Sequence, residues 1–274
     1  MSSKKPVVTV KMLLDTGAFT DIDETIKPKL GLGKPISTWR TSTGNYELHK
    51  FIIRIGSLKP IVIHGNIGPL DNIYNDRPDI GLLGFTNNCL SQFIMDITRY
   101  RAIITDRTTP PPITNGKKTT LNIVSEIDPN ETAAVWADSF TYKPMHDVTF
   151  INPKNNKSIK NHRVLPDTGF TITSIEPSSA RKLGIDLESG IPEPDVNTPG
   201  YYHTLLAKVG NLKPVPLQVN ILSSKAGSYF NILGMKEMHK FYKITFTYDT
   251  ITFTEKPSTA AYANSFPAWY RKRI

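Results

Sequence analysis

The 274-residue sequence predicts a mostly β protein made of two similar lobes. Three observations carry that expectation. Hydrophobic residues at 39% against 21% charged residues supply enough apolar material for packed cores and argue against a disordered chain. Twenty-one prolines and 17 glycines, set among many Thr, Ile and Val, favour short strands and frequent turns over long helices. The chain also repeats itself: RIGSLKPIVIHGNI at Arg54–Ile67 returns as KVGNLKPVPLQVNI at Lys208–Ile221, with six of the fourteen pairs identical.

The repeat orders the elements. Asp15-Thr16-Gly17 matches Asp167-Thr168-Gly169, Lys29-Leu30-Gly31 matches Lys182-Leu183-Gly184, and Leu82-Leu83-Gly84 matches Ile232-Leu233-Gly234, in the same order in each half. A tandem duplication accounts for all of them. Phe51–Ile55 and Ile61–Ile67 read as strands in the first half, and Leu205–Val209 and Pro216–Ile221 in the second, parted by Gly, Lys and Pro turn signals. Pro177–Leu183 reads as a short helix stopped by Gly184. Its counterpart, Asp23–Leu30, carries Pro28, which works against a helix. Val148–Ile151 to Arg163 forms a hairpin that the first half lacks.

These signals divide the chain into a first lobe over 1–107, a Pro-rich connector and insert over 108–146, a second lobe over 147–256 and a basic tail over 257–274. Asn115-Gly116-Lys117-Lys118 reads as exposed connector. Within the insert, Glu131–Ala137 is expected to form a helical turn or two.

Several classes are excluded. One cysteine, Cys89, cannot form an intrachain disulfide framework or a cysteine-rich zinc site, and a buried small hydrophobe is its expected role. The six histidines lack paired metal spacing and nearly all are expected at the surface or in loops, so no metal and no cofactor is called for. No apolar run reaches the ~20 residues of a membrane span, and no signal peptide is read, so the expected setting is intracellular or release from a polyprotein. The formal net charge of +9 favours polyanions electrostatically, yet the basic run Lys154–Arg163 reads as a solvated hairpin.

The chemistry lies in the repeated triplet. One Asp-Thr-Gly arises by chance about 0.05 times in a chain of this length, so two at equivalent places need an explanation. Two carboxylates brought together share a proton, because both cannot easily ionise. The ionised one can then take a proton from a water that attacks a peptide carbonyl, while the protonated one hydrogen-bonds the developing oxyanion. Glycine permits close backbone approach, and the threonine hydroxyl can brace the facing loop.

With LLDTGAFTDI followed by DIGLLG, and LPDTGFTITS followed by NILG, the chain resembles the retropepsin-type aspartic peptidases of retroviruses and retrotransposons. The resemblance covers roughly residues 7–105 and 147–255. It implies a bilobal acid-protease fold, two retropepsin-like lobes related by a pseudo-two-fold axis on one chain. It further implies that Asp15 and Asp167 are catalytic, supported by Thr16, Gly17, Thr168 and Gly169, with Gly84 and Gly234 seating ψ-shaped loops. Two flap hairpins are implied too, with tips at Ser42, Thr43 and Gly44 and at Thr198 and Gly200. The expected substrate is an extended polypeptide, such as a precursor polyprotein, handled by a monomer. Ala18 and Phe170 follow the two triplets where pepsin-like enzymes carry a hydroxyl, and a carboxylate with fewer donors keeps its proton to higher pH. A mildly acidic optimum is therefore expected. The rival expectation is a catalytically inactive module that binds a peptide or nucleic acid, and a further one pairs lobes between chains.

Overall fold

Alternation of apolar and polar residues gives the first half its sheet. The computed structural model describes residues 7–17, 20–40, 44–70, 80–84, 92–96, 101–105, 116–122, 146–192, 200–222, 231–241, 243–247 and 250–255. It is mostly β. Two compact units form, one from 1–89 with 125–143, the other from 90–124 with 144–274.

In the first unit, β1 (Lys11–Asp15), β2 (Asp21–Asp23), β3 (Ser37–Arg40), β4 (Asn45–Ile53), β5 (Ile61–Gly68) and β6 (Ile80–Gly84) make one sheet in the order β1-β6-β2-β5-β4-β3. Ile22, Ile26, Phe51, Ile63 and Ile67 form its core. Burying such a side chain contributes about 1.5–3 kcal/mol. Gly65 is required here because a Cβ would strike the Phe51 ring. After β2, the Asp23 carboxylate accepts the Thr25 N–H at 2.9 Å and caps a 3-10 turn, Glu24–Ile26. That turn runs into the helix α1 (Lys27–Leu30), which Gly31 ends at φ 56°. Pro28 does not break it, because it sits in the first turn, where no intrahelical N–H is lost.

The second unit repeats this plan. β11 (Ser158–Asp167), β12 (Thr173–Ile175), β13 (Ile191–Pro192), β14 (Gly200–Lys208), β15 (Val215–Leu222) and β16 (Asn231–Gly234) follow the order β11-β16-β12-β15-β14-β13. Position by position this is the order of the first sheet. β10 (His146–Ile151) is added, pairing with both β11 and β14 and supplying the hairpin read from Val148–Arg163. The helix α2 (Pro177–Lys182) lies where the sequence places it, with Gly184 at φ 68° beyond.

A further sheet belongs to the second unit: β7 (Gln92–Asp96), β8 (Arg101–Thr105), β9 (Lys118–Asn122), β17 (Lys243–Thr247) and β18 (Thr250–Thr254), in the order β8-β7-β17-β18-β9. Ile244, Phe246, Ile251 and Phe253 alternate into its core. Lys118 is thus strand and not connector, because β9 is hydrogen-bonded along β18 from Lys118 to Asn122. The division into units also falls elsewhere than at 107/108, since β7 is joined to β17 and β9 to β18. The expected turns at Glu131–Ala137, the tail 257–274 and Cys89 lie outside the described residues. No helix among the described residues is long and apolar enough to cross a membrane.

Candidate active site

Each Asp-Thr-Gly sits at the end of a strand, beside a glycine on a neighbouring one. Asp15 closes β1 in parallel register with Gly84 of β6, and Asp167 closes β11 in the same register with Gly234 of β16. β6 lies between β1 and β2, and β16 between β11 and β12, so the loop leaving each aspartate returns on the far side of the glycine strand.

The same hydrogen bonds recur. The Gly17 N–H donates to Asp15 Oδ1 at 2.9 Å, and the Gly169 N–H donates to Asp167 Oδ1 at 2.9 Å. Each aspartate is half-buried, Thr16 is buried and Thr168 half-buried. The Gly84 N–H donates to Thr20 Oγ1 at 3.2 Å, and the Gly234 N–H to Thr173 Oγ1 at 3.1 Å. A Cβ on Gly234 would lie 2.5 Å from the backbone of Ile172, so only glycine fits there. Phe170 is held by its backbone, its carbonyl accepting the Met235 N–H at 2.8 Å at the start of the helix α3 (Met235–Met238).

Thr20 and Thr173 were not among the residues the sequence singled out, although each lies five or six residues past its aspartate. Asp21 was missed as well. It accepts a hydrogen bond from Asn66 Nδ2 at 2.7 Å, and the equivalent second-unit pair is Ser174 and Asn220. Burial pushes the Asp21 carboxyl up to about 7; the Asn66 bond opposes the rise and the charge of Asp15 adds to it.

Of the flap candidates, Gly44 precedes β4 and Gly200 opens β14. Gly44 has φ 149°, and a Cβ there would strike Pro69; at Gly200 it would strike Asn220 and Ile221. β3 pairs with β4 from Arg40 and Asn45, and β13 with β14 at Pro192 and Tyr201, so a hairpin flanks each tip. Ser42, Thr43 and Thr198 lie outside the described residues. Trp39 and Tyr46 stack across the first hairpin at 5.9 Å, and the Tyr46 hydroxyl donates to the Pro69 carbonyl at 3.2 Å.

The chain is similar in structure to a retropepsin-like aspartic protease from Rickettsia conorii. The two share 17% identity at a TM-score of 0.35, over 53% of this chain and 98% of that one. No protein-family model and no curated protein matches the sequence.

Two histidines depart from expectation. His49 and His146 are buried in strands, not at the surface. His49 reaches Glu47 at 2.8 Å, and His146 packs edge-on against Phe253 at 4.9 Å. A strand interior accepts a histidine where a carboxylate or an aromatic face takes the ring, and nothing in the residue order announces such a partner. Among the described residues no group of three His, Cys, Asp or Glu could hold a metal ion.

Proposed function

We propose that the chain is an aspartic endopeptidase in which Asp15 and Asp167 act as a pair. The observation that supports it most is the double occurrence, in one chain, of a half-buried aspartate bonded by its own loop glycine and set beside a ψ glycine. One carboxylate takes a proton from water, the water attacks the peptide carbonyl, and the partner carboxyl hydrogen-bonds the developing oxyanion; the first carboxyl then gives the proton it took to the leaving amine as the C–N bond breaks. Thr16 and Thr168 brace the loops, and Gly17, Gly169, Gly84 and Gly234 let the backbones approach. No cofactor enters this scheme.

The substrate is an extended polypeptide taken as an added strand beneath the two hairpins, whose tips include Ser42, Thr43, Gly44, Thr198 and Gly200. A precursor polyprotein is the natural form of such a substrate. One chain supplies both aspartates, so a monomer suffices.

Incubation with a diverse peptide library across pH 4 to 7 tests the reading. Asp15→Asn and Asp167→Asn should each lower kcat/KM by about a hundredfold or more. Cleavage that survives both substitutions removes the pair from the mechanism. Absence of cleavage by the unaltered chain, with peptides still bound, favours a binding module instead.

A further inference from the structure

The two halves are not chemically equal behind their aspartates. Residues paired across strands share a face of the sheet, as do alternate residues along one strand. Asp15 pairs with Gly84, Leu82 lies two residues before Gly84, and Asp21 pairs with Leu82 on one side and Asn66 on the other. Asp15 and Asp21 therefore project from the same face, on either side of β6. In the second unit the same steps lead from Asp167 through Gly234 and Ile232 to Ser174 and Asn220. Where one half has a carboxyl, the other has a buried hydroxyl.

The position is also tied mechanically to the loop. The Thr20 hydroxyl holds the Gly84 N–H, and its carbonyl accepts the Asn66 N–H at 2.9 Å. Asn66 in turn donates its side-chain amide to Asp21.

We propose that Asp21 is a positioning residue of the peptidase site, a third carboxyl that acts through Asp15 and whose charge resists complete ionisation of the acidic cluster, extending activity toward higher pH. The proposal rests on the peptidase reading above and deepens it. Like charges on one sheet face disfavour full ionisation, and the effect is reciprocal. The other titratable groups on that face are few. Lys11 lies on β1, His64 on β5, and Lys50, paired with His64, and Tyr46 on β4; Asp23, on β2 itself, is turned to Thr25 and to the Leu70 N–H at 3.2 Å. The described side chains of β6, Leu82 and Leu83, are uncharged. Burial raises Asp21 far enough for it to titrate near neutrality, and the charge of Asp15 adds to that rise.

Two measurements on the full chain test this. Carbon-13 NMR of the Asp21 carboxyl from pH 4 to 9 should show its midpoint falling by about half a pH unit in Asp15→Asn, as expected when a like charge on the same sheet face is removed. In peptide cleavage, Asp21→Asn and Asp21→Ser should move the alkaline limb, scaled to each variant's own maximum, to lower pH by a similar amount. An unmoved NMR midpoint, or a loss of activity equal at every pH, overturns the role. If the unaltered chain cleaves and the coupling is absent, the role of Asp21 alone fails. If the coupling is present but the unaltered chain cleaves nothing, the peptidase reading fails and takes this role with it.

Discussion

At the scale of single residues, ionisable groups are held by partners that the linear order does not disclose. Glu47 is held below the usual carboxylate range, first by its bond from Lys27 and then by that from His49. The Lys27 contact is 2.6 Å and the His49 contact 2.8 Å. A depressed carboxylate contributes stability that is present above its unfolded value, near 4.5, and lost as pH falls through the folded one. Glu47 is partly exposed, so solvent screens the ion pair and most of the value lies in satisfying buried His49. Glu47→Gln should therefore cost about 1 kcal/mol at pH 7, and the difference from the unaltered chain should shrink below pH 4, as read by urea denaturation. A pH-independent difference would remove the ionic share. Motif reading singled out Asp15 and Asp167 because a repeated triplet is improbable. It missed Thr20, Thr173 and Asp21 because their partners, Gly84, Gly234 and Asn66, are brought to them only by strand pairing.

At the scale of elements, local chemistry made much of the fold legible. The strands at Ile61–Gly68 and Val215–Leu222, and the helix that ends before Gly184, follow from alternation and turn residues. β9 was hidden, since Lys118–Asn122 is polar enough to read as linker and becomes strand only by pairing with β18. The recurring apolar-apolar-glycine was legible, while the threonine that holds its glycine was not. Replacing Thr20 or Thr173 by Val keeps the shape and removes the acceptor of a buried glycine N–H, at a cost of about 1–3 kcal/mol each. Chemical denaturation should place both variants in that range, with cleavage reduced at every pH. Variants as stable as the unaltered chain would mean that the glycine amides find another acceptor.

For the whole molecule, the sequence repeat was the most legible feature, and the two units nevertheless carry opposite titrations. Asp21, in the first unit, is raised to about 7 by burial, so its contribution to stability is full below about 3.8 and is lost as pH rises through 7. His146, in the second unit, is lowered to about 4 by burial, so its contribution is present above 6.5 and is lost as pH falls through 4. Between pH 5 and 8 each change amounts to roughly 2–3 kcal/mol, with the first unit weakening upward and the second downward. His203, lowered by burial, acts in the same sense as His146, whereas Glu237, raised by burial, acts against it. The decisive comparison is therefore between variants. Hydrogen exchange, corrected for intrinsic rate, should show β1 to β6 losing protection from pH 5 to 8, and Asp21→Asn should flatten that loss. His146→Phe, which keeps an aromatic ring against Phe253, should flatten the opposite trend across β10 to β16. If both units drift the same way, or if neither substitution changes its own unit's slope, these two buried groups do not set the pH dependence of folding.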